Sequence, residues 1–130
     1  MISRRVKEFR TPGETMTHEE LVMNIAHAAQ ALGFKVAGFR CVRVQRRNGQ
    51  VYYETPVRFD GTGWPDLILL HKASTRRLAV EVKVKKDFLK PEQIDWLEVM
   101  DSCGFECYEW REGDWLDDTI IKILRGEATG

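Results

Sequence analysis

Two short apolar runs, Asp66-Leu-Ile-Leu-Leu70 and Leu78-Ala-Val-Glu-Val-Lys-Val84, flank a polar turn over 71–76. The first is nearly all apolar, as expected of a central strand covered on both faces. A hairpin centred between Ala73 and Ser74 pairs Leu67 with Val80, Ile68 with Ala79 and Leu69 with Leu78. Every pair is apolar against apolar, so the register is self-consistent. The same register sets Asp66 opposite Glu81, with Cβ atoms roughly 5 Å apart. Alternation along the strand puts Glu81 and Lys83 on one face.

Two carboxylates this close in an apolar sheet repel unless a proton or a cation lies between them. A hard divalent ion such as Mg²⁺ resolves the conflict, since it prefers carboxylate oxygen and keeps several waters. Lys83 beside such an ion suits a phosphate oxygen or an attacking water. That is equipment for phosphodiester hydrolysis. A lone E-x-K would read as a solvated ion pair. Here it comes with a Pro65-Asp66 strand start, a matching register and a helix carrying Gln93 next door.

The rest of the chain predicts the surrounding elements. Residues 1–16 read as a flexible arm, interrupted by Thr11-Pro12-Gly13. Thr17 and Glu20 form a capping box before a helix with Leu21, Ile25, Ala28, Ala29 and Leu32 at helical spacing, stopped by Gly33. Residues 36–46 and 50–58 alternate around Asn48-Gly49, a strong hairpin turn, with Pro56 at an edge or bulge. Pro91 opens a helix that ends at Gly104. Residues 105–110 read as a strand, and Asp114 as the cap of one last helix running to about Leu124. The tail 126–130 is expected to fray. The order helix, four strands, helix, strand, helix describes one α/β domain over 17–125, a mixed central β-sheet flanked by helices.

Composition narrows the setting. The 130 residues include 20 Lys+Arg and 20 Asp+Glu. Residues 1–90 carry a net +8 and residues 91–130 a net −8, which suggests a surface for a polyanion and a separate acidic surface. The three cysteines, Cys41, Cys103 and Cys107, are too few and too unevenly spaced for a disulfide scaffold or a zinc site, and read as thiols in a reducing interior. No apolar run approaches membrane-spanning length, and MISRRVKEFRTPGET lacks the apolar stretch of a secretory signal. A cytoplasmic protein is expected, in a cell or encoded by a phage.

With these residues in view, G-W-P-D-L-I-L-L, L-A-V-E-V-K and P-E-Q-I-D-W-L resemble the PD-(D/E)XK nuclease superfamily, with its restriction-endonuclease-like core. More narrowly they resemble its VRR-NUC (virus-type replication-repair nuclease) family, similar to Holliday junction resolvases. The resemblance spans roughly 17–125. It implies a Mg²⁺- or Mn²⁺-dependent endonuclease acting on branched or structured DNA, often as a homodimer. It implies Asp66, Glu81 and the Val82 backbone carbonyl as metal ligands, Lys83 as the catalytic lysine and Gln93 as a helix residue facing the site. The family also carries a Glu early in its first helix. Counting back from Leu21, that position is His18 here, with Glu19 and Glu20 adjacent. Glu20 is engaged by the capping box, which favours Glu19 as the extra ligand, with His18 as a substitute.

Arg43, Arg46, Arg47 and Tyr52, together with Arg40, Arg58 and Tyr53, cluster on the first hairpin and suit phosphate and base contacts. The competing reading is a charged edge that prevents sheet association. Lys85, Lys86 and Lys90 extend the basic run after Lys83. Two rival functions stand beside the structure-selective nuclease: a sequence-specific homing or restriction nuclease, and a DNA-binding module that does not cut.

Overall fold

The computed structural model describes residues 14–39, 42–54 and 57–127. Helix α1 (His18–Ala31) opens on Thr17, whose hydroxyl accepts the Glu20 amide while the Glu20 carboxylate accepts the Thr17 amide. Leu21, Ile25 and Ala29, spaced four apart, form its fully buried stripe. Strands β1 (Lys35–Gly38), β4 (Leu67–His71), β5 (Arg76–Val82) and β6 (Glu106–Trp110) make one sheet in the order β1-β4-β5-β6. The first three pair antiparallel, and β6 joins β5 in parallel. Strands β2 (Val42–Gln45) and β3 (Val51–Glu54) form a separate two-stranded sheet, closed by a turn in which Gly49 takes φ 85°. Helix α2 (Pro91–Ser102) supplies the crossover between β5 and β6.

The β4–β5 register is the expected one: Leu67 with Val80, Ile68 with Ala79, Leu69 with Leu78. Leu67, Leu69, Leu78, Val80 and Val82 pack with Leu21, Ile25, Ala29, Trp110, Ile120 and Leu124 on one face. Ala79 packs with Leu97, Met100 and Cys107 on the other, beside Ile68, Trp64 and Trp96. Both faces of the central pair are therefore covered, which is why these strands carry so little polar alternation. Each fully buried Leu or Ile contributes about 1.5–3 kcal/mol.

Four expectations need correction. Residues 36–46 are not one strand: β1 and β2 belong to different sheets. The last helix is two, α3 (Glu112–Leu116) and α4 (Thr119–Leu124), because Asp118 takes φ 64° and interrupts the helical path. Asp114 caps neither helix as its N-terminal residue; it lies inside α3, buried, and accepts the Arg111 amide at 2.9 Å. The acidic third is also not simply a solvent face, since Glu109, Glu112 and Asp114 are all buried. Of the thiols, Cys103 is exposed and Cys107 buried, its pKa pushed up to about 11 by burial. Cys41, Pro56, residues 1–13 and the end of the tail lie outside the described residues.

Candidate active site

Asp66 precedes β4 and Glu81 lies one step from the end of β5, so the observed register carried one pair further sets them side by side. Alternation places both on the α2 face of the sheet, in line with Ile68 and Ala79. Glu81 is 1 % exposed, and neither carboxylate oxygen has a hydrogen-bond partner among the described residues. Burial, and then the neighbouring Asp66 charge, pushes its pKa up to about 9, with Lys83 pulling the other way. Lys83 is 4 % exposed, its Nζ 3.9 Å from Glu81 Oε2 and 3.4 Å from Asp87 Oδ2. The pair thus keeps carboxylate oxygens deep in the fold with too few protons donated to them.

Asp66 is held from two directions. Its Oδ2 accepts the Val82 amide at 2.8 Å and lies 3.3 Å from His18 Nε2. His18 thus reaches the pair from the first helix, and Glu19 lies exposed in the same helical turn. Asp66 raises the His18 pKa above 6.5, first through the hydrogen bond.

The end of the N-terminal segment is tied across this corner. The buried Glu112 carboxylate accepts the Thr15 and Met16 amides, and Glu14 Oε2 accepts the Lys85 amide at 2.6 Å. Arg111, 3 % exposed, donates to the Lys85 and Asp87 carbonyls and to Glu109 Oε2 at 3.0 Å. A buried guanidinium thereby anchors the loop after β5, which carries the Asp87 carboxylate to Lys83. Neither Asp87 nor Arg111 figured among the expected site residues. The available signal was Arg111 itself, one of only three basic residues in 91–130 and flanked by Trp110 and Glu112.

The other expected residues lie around the carboxylate pair and on the hairpin. Gln93 Oε1 accepts the Lys90 amide at 2.9 Å, closing the cap of α2. Val82 meets Asp66 through its amide. Lys85 is exposed, with φ 53° and both backbone polar groups engaged. Arg46 and Arg47 are exposed on the β2–β3 hairpin, with the Arg46 guanidinium 4.7 Å from the Tyr52 ring centre. The Arg43 side chain lies outside what is described.

A divalent cation fits the carboxylate pair on chemical grounds, because two buried Glu81 oxygens without donors sit beside a second carboxylate. Among the described residues no three His, Cys, Asp or Glu side chains form a ready metal cage. Such an ion would complete its shell with water and backbone oxygen, as Mg²⁺ commonly does.

A mixed sheet flanked by helices, with Pro-Asp opening one central strand and Glu-x-Lys closing the next, defines a nuclease core of the PD-(D/E)XK type. Residues 43–111 match the VRR-NUC domain, just over half of the chain, and the chain belongs to that family. It is thus a nuclease of the PD-(D/E)XK type, with DNA as the substrate the family implies. Neither the curated proteins nor the solved structures give a match. Among the described residues no helix is long and apolar enough to cross a membrane.

Proposed function

We propose that this protein is a divalent-metal-dependent endonuclease of branched or structured DNA, resembling Holliday junction resolvases in substrate. The observation that carries the reading is the buried Glu81 carboxylate beside Asp66, without a close hydrogen-bond donor among the described residues and with only the Lys83 Nζ, 3.9 Å away, as a counter-charge. An apolar fold does not tolerate that arrangement without a function or a ligand to compensate it. Asp66 and Glu81 are the ligands, with the Val82 carbonyl, and Mg²⁺ or Mn²⁺ is the ion. Bound there, the ion supplies Lewis-acid polarisation of a phosphodiester and a more acidic water.

The protein's own groups do the rest. Lys83 holds its ammonium beside the reacting phosphate and stabilises the negative charge that develops on its oxygens. Asp87 keeps that ammonium oriented. His18 holds the Asp66 carboxylate against the Val82 amide, and Glu19, in the same helical turn, is the extra ligand from the first helix. Gln93, at the N-terminus of α2 over the same face, orients the attacking water or Lys83. Arg43, Arg46, Arg47, Tyr52 and Lys85 supply phosphate and base contacts. One such core cuts one strand, so paired cuts across a junction call for a homodimer. Residues 17–125 form the nuclease unit in this reading, with 1–16 as an arm and 126–130 as a tail.

The test is a panel of linear, flapped and four-way DNA with Mg²⁺ or Mn²⁺. Wild type should cut the branched substrates, and Asp66→Ala should not. Equal inertness of both proteins would remove the enzyme reading. Tight binding indifferent to metal and to Glu81→Gln would favour the binding module, and defined cuts in linear duplex the sequence-specific nuclease.

A further inference from the structure

Phe59 breaks two folding rules at once. It is 94 % exposed, more than any other large apolar side chain described, and its backbone takes φ 62°. An exposed ring gains nothing from burial, and a bulky residue in the left-handed region is strained. The turn that carries it is nevertheless well anchored. Trp96 Nε1 donates to the Asp60 carbonyl at 2.9 Å, and the Trp64 amide to Gly61 at 3.0 Å. Trp64 in turn sits edge-on between Phe39 and Trp96, with ring centres 5.4 and 4.9 Å away. Three aromatic rings are thus spent on bracing a turn that points a fourth into solvent.

The Arg58 guanidinium lies 5.3 Å from the centre of the Phe59 ring. The guanidinium covers one face of the ring, and at 94 % exposure the opposite face is open to a nucleobase, with the guanidinium at hand for its neighbouring phosphate. The place in the chain suits the same ligand. Phe59 and Asp66 are seven positions apart in the chain, a span of at most about 24 Å even if fully extended. Stacked DNA rises 3.4 Å per nucleotide along one strand. A base on Phe59 would therefore lie within about seven nucleotides of a phosphate at Asp66.

We propose that Phe59 is a stacking residue for an unpaired nucleobase, with Arg58 holding an adjacent phosphate, so that the turn 57–63 selects DNA whose stack is broken within about seven nucleotides of the cut. Apolar side chains at broken base steps are an established means of holding distorted DNA. The inference rests on the nuclease reading above and names the feature of the substrate that is recognised.

The test compares wild type, Phe59→Ala and Phe59→Trp on four-way and linear DNA carrying 2-aminopurine at each position near the branch. Binding is followed in EDTA by the fluorescence of that base, and the cuts are then mapped with Mn²⁺. Wild type should quench 2-aminopurine at one unpaired position, within about seven nucleotides of its cut. Phe59→Ala should lose that quenching and about tenfold of the preference for four-way over linear DNA, and Phe59→Trp should keep both. The melting temperature of Phe59→Ala should match wild type, which separates lost stacking from lost fold. If Phe59→Ala keeps both the quenching and the preference, or changes only the oligomeric state, the proposal is overturned while the nuclease reading stands. If wild type neither binds nor cuts any of these DNAs, the nuclease reading falls first.

Discussion

His18 Nε2 lies 3.3 Å from Asp66 Oδ2, joining the first turn of α1 to the opening of β4. The partnership raises the His18 pKa above 6.5. An NMR titration of the imidazole should place its midpoint above 6.5, and Asp66→Asn should bring it down. The sign for stability follows. The pair contributes fully below 6.5, where the unfolded imidazole is already charged, and the contribution fades as pH rises through the folded value. Because His18 is about half exposed, the effect on stability should be small. A midpoint unchanged by Asp66→Asn would show that the contact does not exist in solution.

Glu81 gives the opposite pH signature. Burial, and then the Asp66 charge, pushes its carboxyl up to about 9, against 4.5 for an ordinary glutamate. Without metal, the folded protein holds a proton that the unfolded chain has lost, so stability falls as pH rises from about 4.5 to about 9. Glu81→Gln should therefore be more stable than wild type in EDTA at pH 8, by about 1–3 kcal/mol, and inactive. Urea unfolding at pH 6 and pH 8 measures the difference. Calorimetry in two buffers of different ionisation enthalpy should show about one proton released as Mn²⁺ binds at pH 7.5. Uptake without proton release would mean that Glu81 is ionised before metal arrives.

The central hairpin was legible in the sequence because its evidence is redundant. Three apolar pairs and one acidic pair all require the same register, and a slip by one residue would expose the whole set. Helix α1 was legible for a similar reason, with a capping box and a buried stripe in agreement. The break at Asp118 was not, since the apolar spacing of Leu116, Ile120 and Leu124 continues through it and only the backbone angle reveals it. Within the site, Asp66, Glu81 and Lys83 follow from strand alternation. Glu112 and Arg111 do not, because their partners are backbone groups far along the chain, and backbone groups leave no trace in residue type. Gln93 shows the converse: a residue type that fits a site also fits a helix cap, and here the cap holds it.

Arg111 is the charged residue whose removal should cost most. It is buried, paired with Glu109 and bonded to two carbonyls of the loop after β5. Arg111→Met keeps the volume and removes the charge, which should cost about 3–5 kcal/mol in urea unfolding. Arg111→Lys retains the charge but lacks the fork that reaches both carbonyls, so it should recover only part of that stability. Activity should fall further than stability explains, because the freed loop no longer carries Asp87 to Lys83. Hydrogen exchange at 85–88 separates the two effects: it should quicken in Arg111→Lys at temperatures where the sheet stays protected.

Arg76 predicts acid lability at the far edge of the sheet. It forms a two-pronged ion pair with Glu106 at 2.8 and 2.9 Å and donates to the Ile123 and Leu124 carbonyls at the end of α4. The Arg76 bond holds the Glu106 carboxyl below its ordinary 4.5. This contribution is present above 4.5 and is lost as pH falls through the lowered value. Arg76→Ala should cost about 1–3 kcal/mol at pH 7 and loosen 119–124 first, read as faster amide exchange there. The difference from wild type should shrink in acid, where Glu106 is protonated in both proteins.

Gly63 is where the loop bearing Asp66 meets the start of α2. It takes φ 88°, and an added Cβ would lie 2.5 Å from the Glu92 carbonyl and 2.8 Å from the Gln93 nitrogen. Both obstacles are backbone, so no side chain can rotate out of the way. Gly63→Ala must push the Trp64-Pro65-Asp66 segment off the helix, at about 2–4 kcal/mol once strain and displacement are combined. The displacement acts on Asp66 but leaves Glu81 in place on β5. Metal affinity by calorimetry should therefore fall at least tenfold at temperatures where circular dichroism shows the fold intact. A second substitution distinguishes this from general destabilisation: Gly49→Ala, also at positive φ but with nothing within 4 Å of the added Cβ, should lose stability to backbone strain alone and bind metal as wild type does.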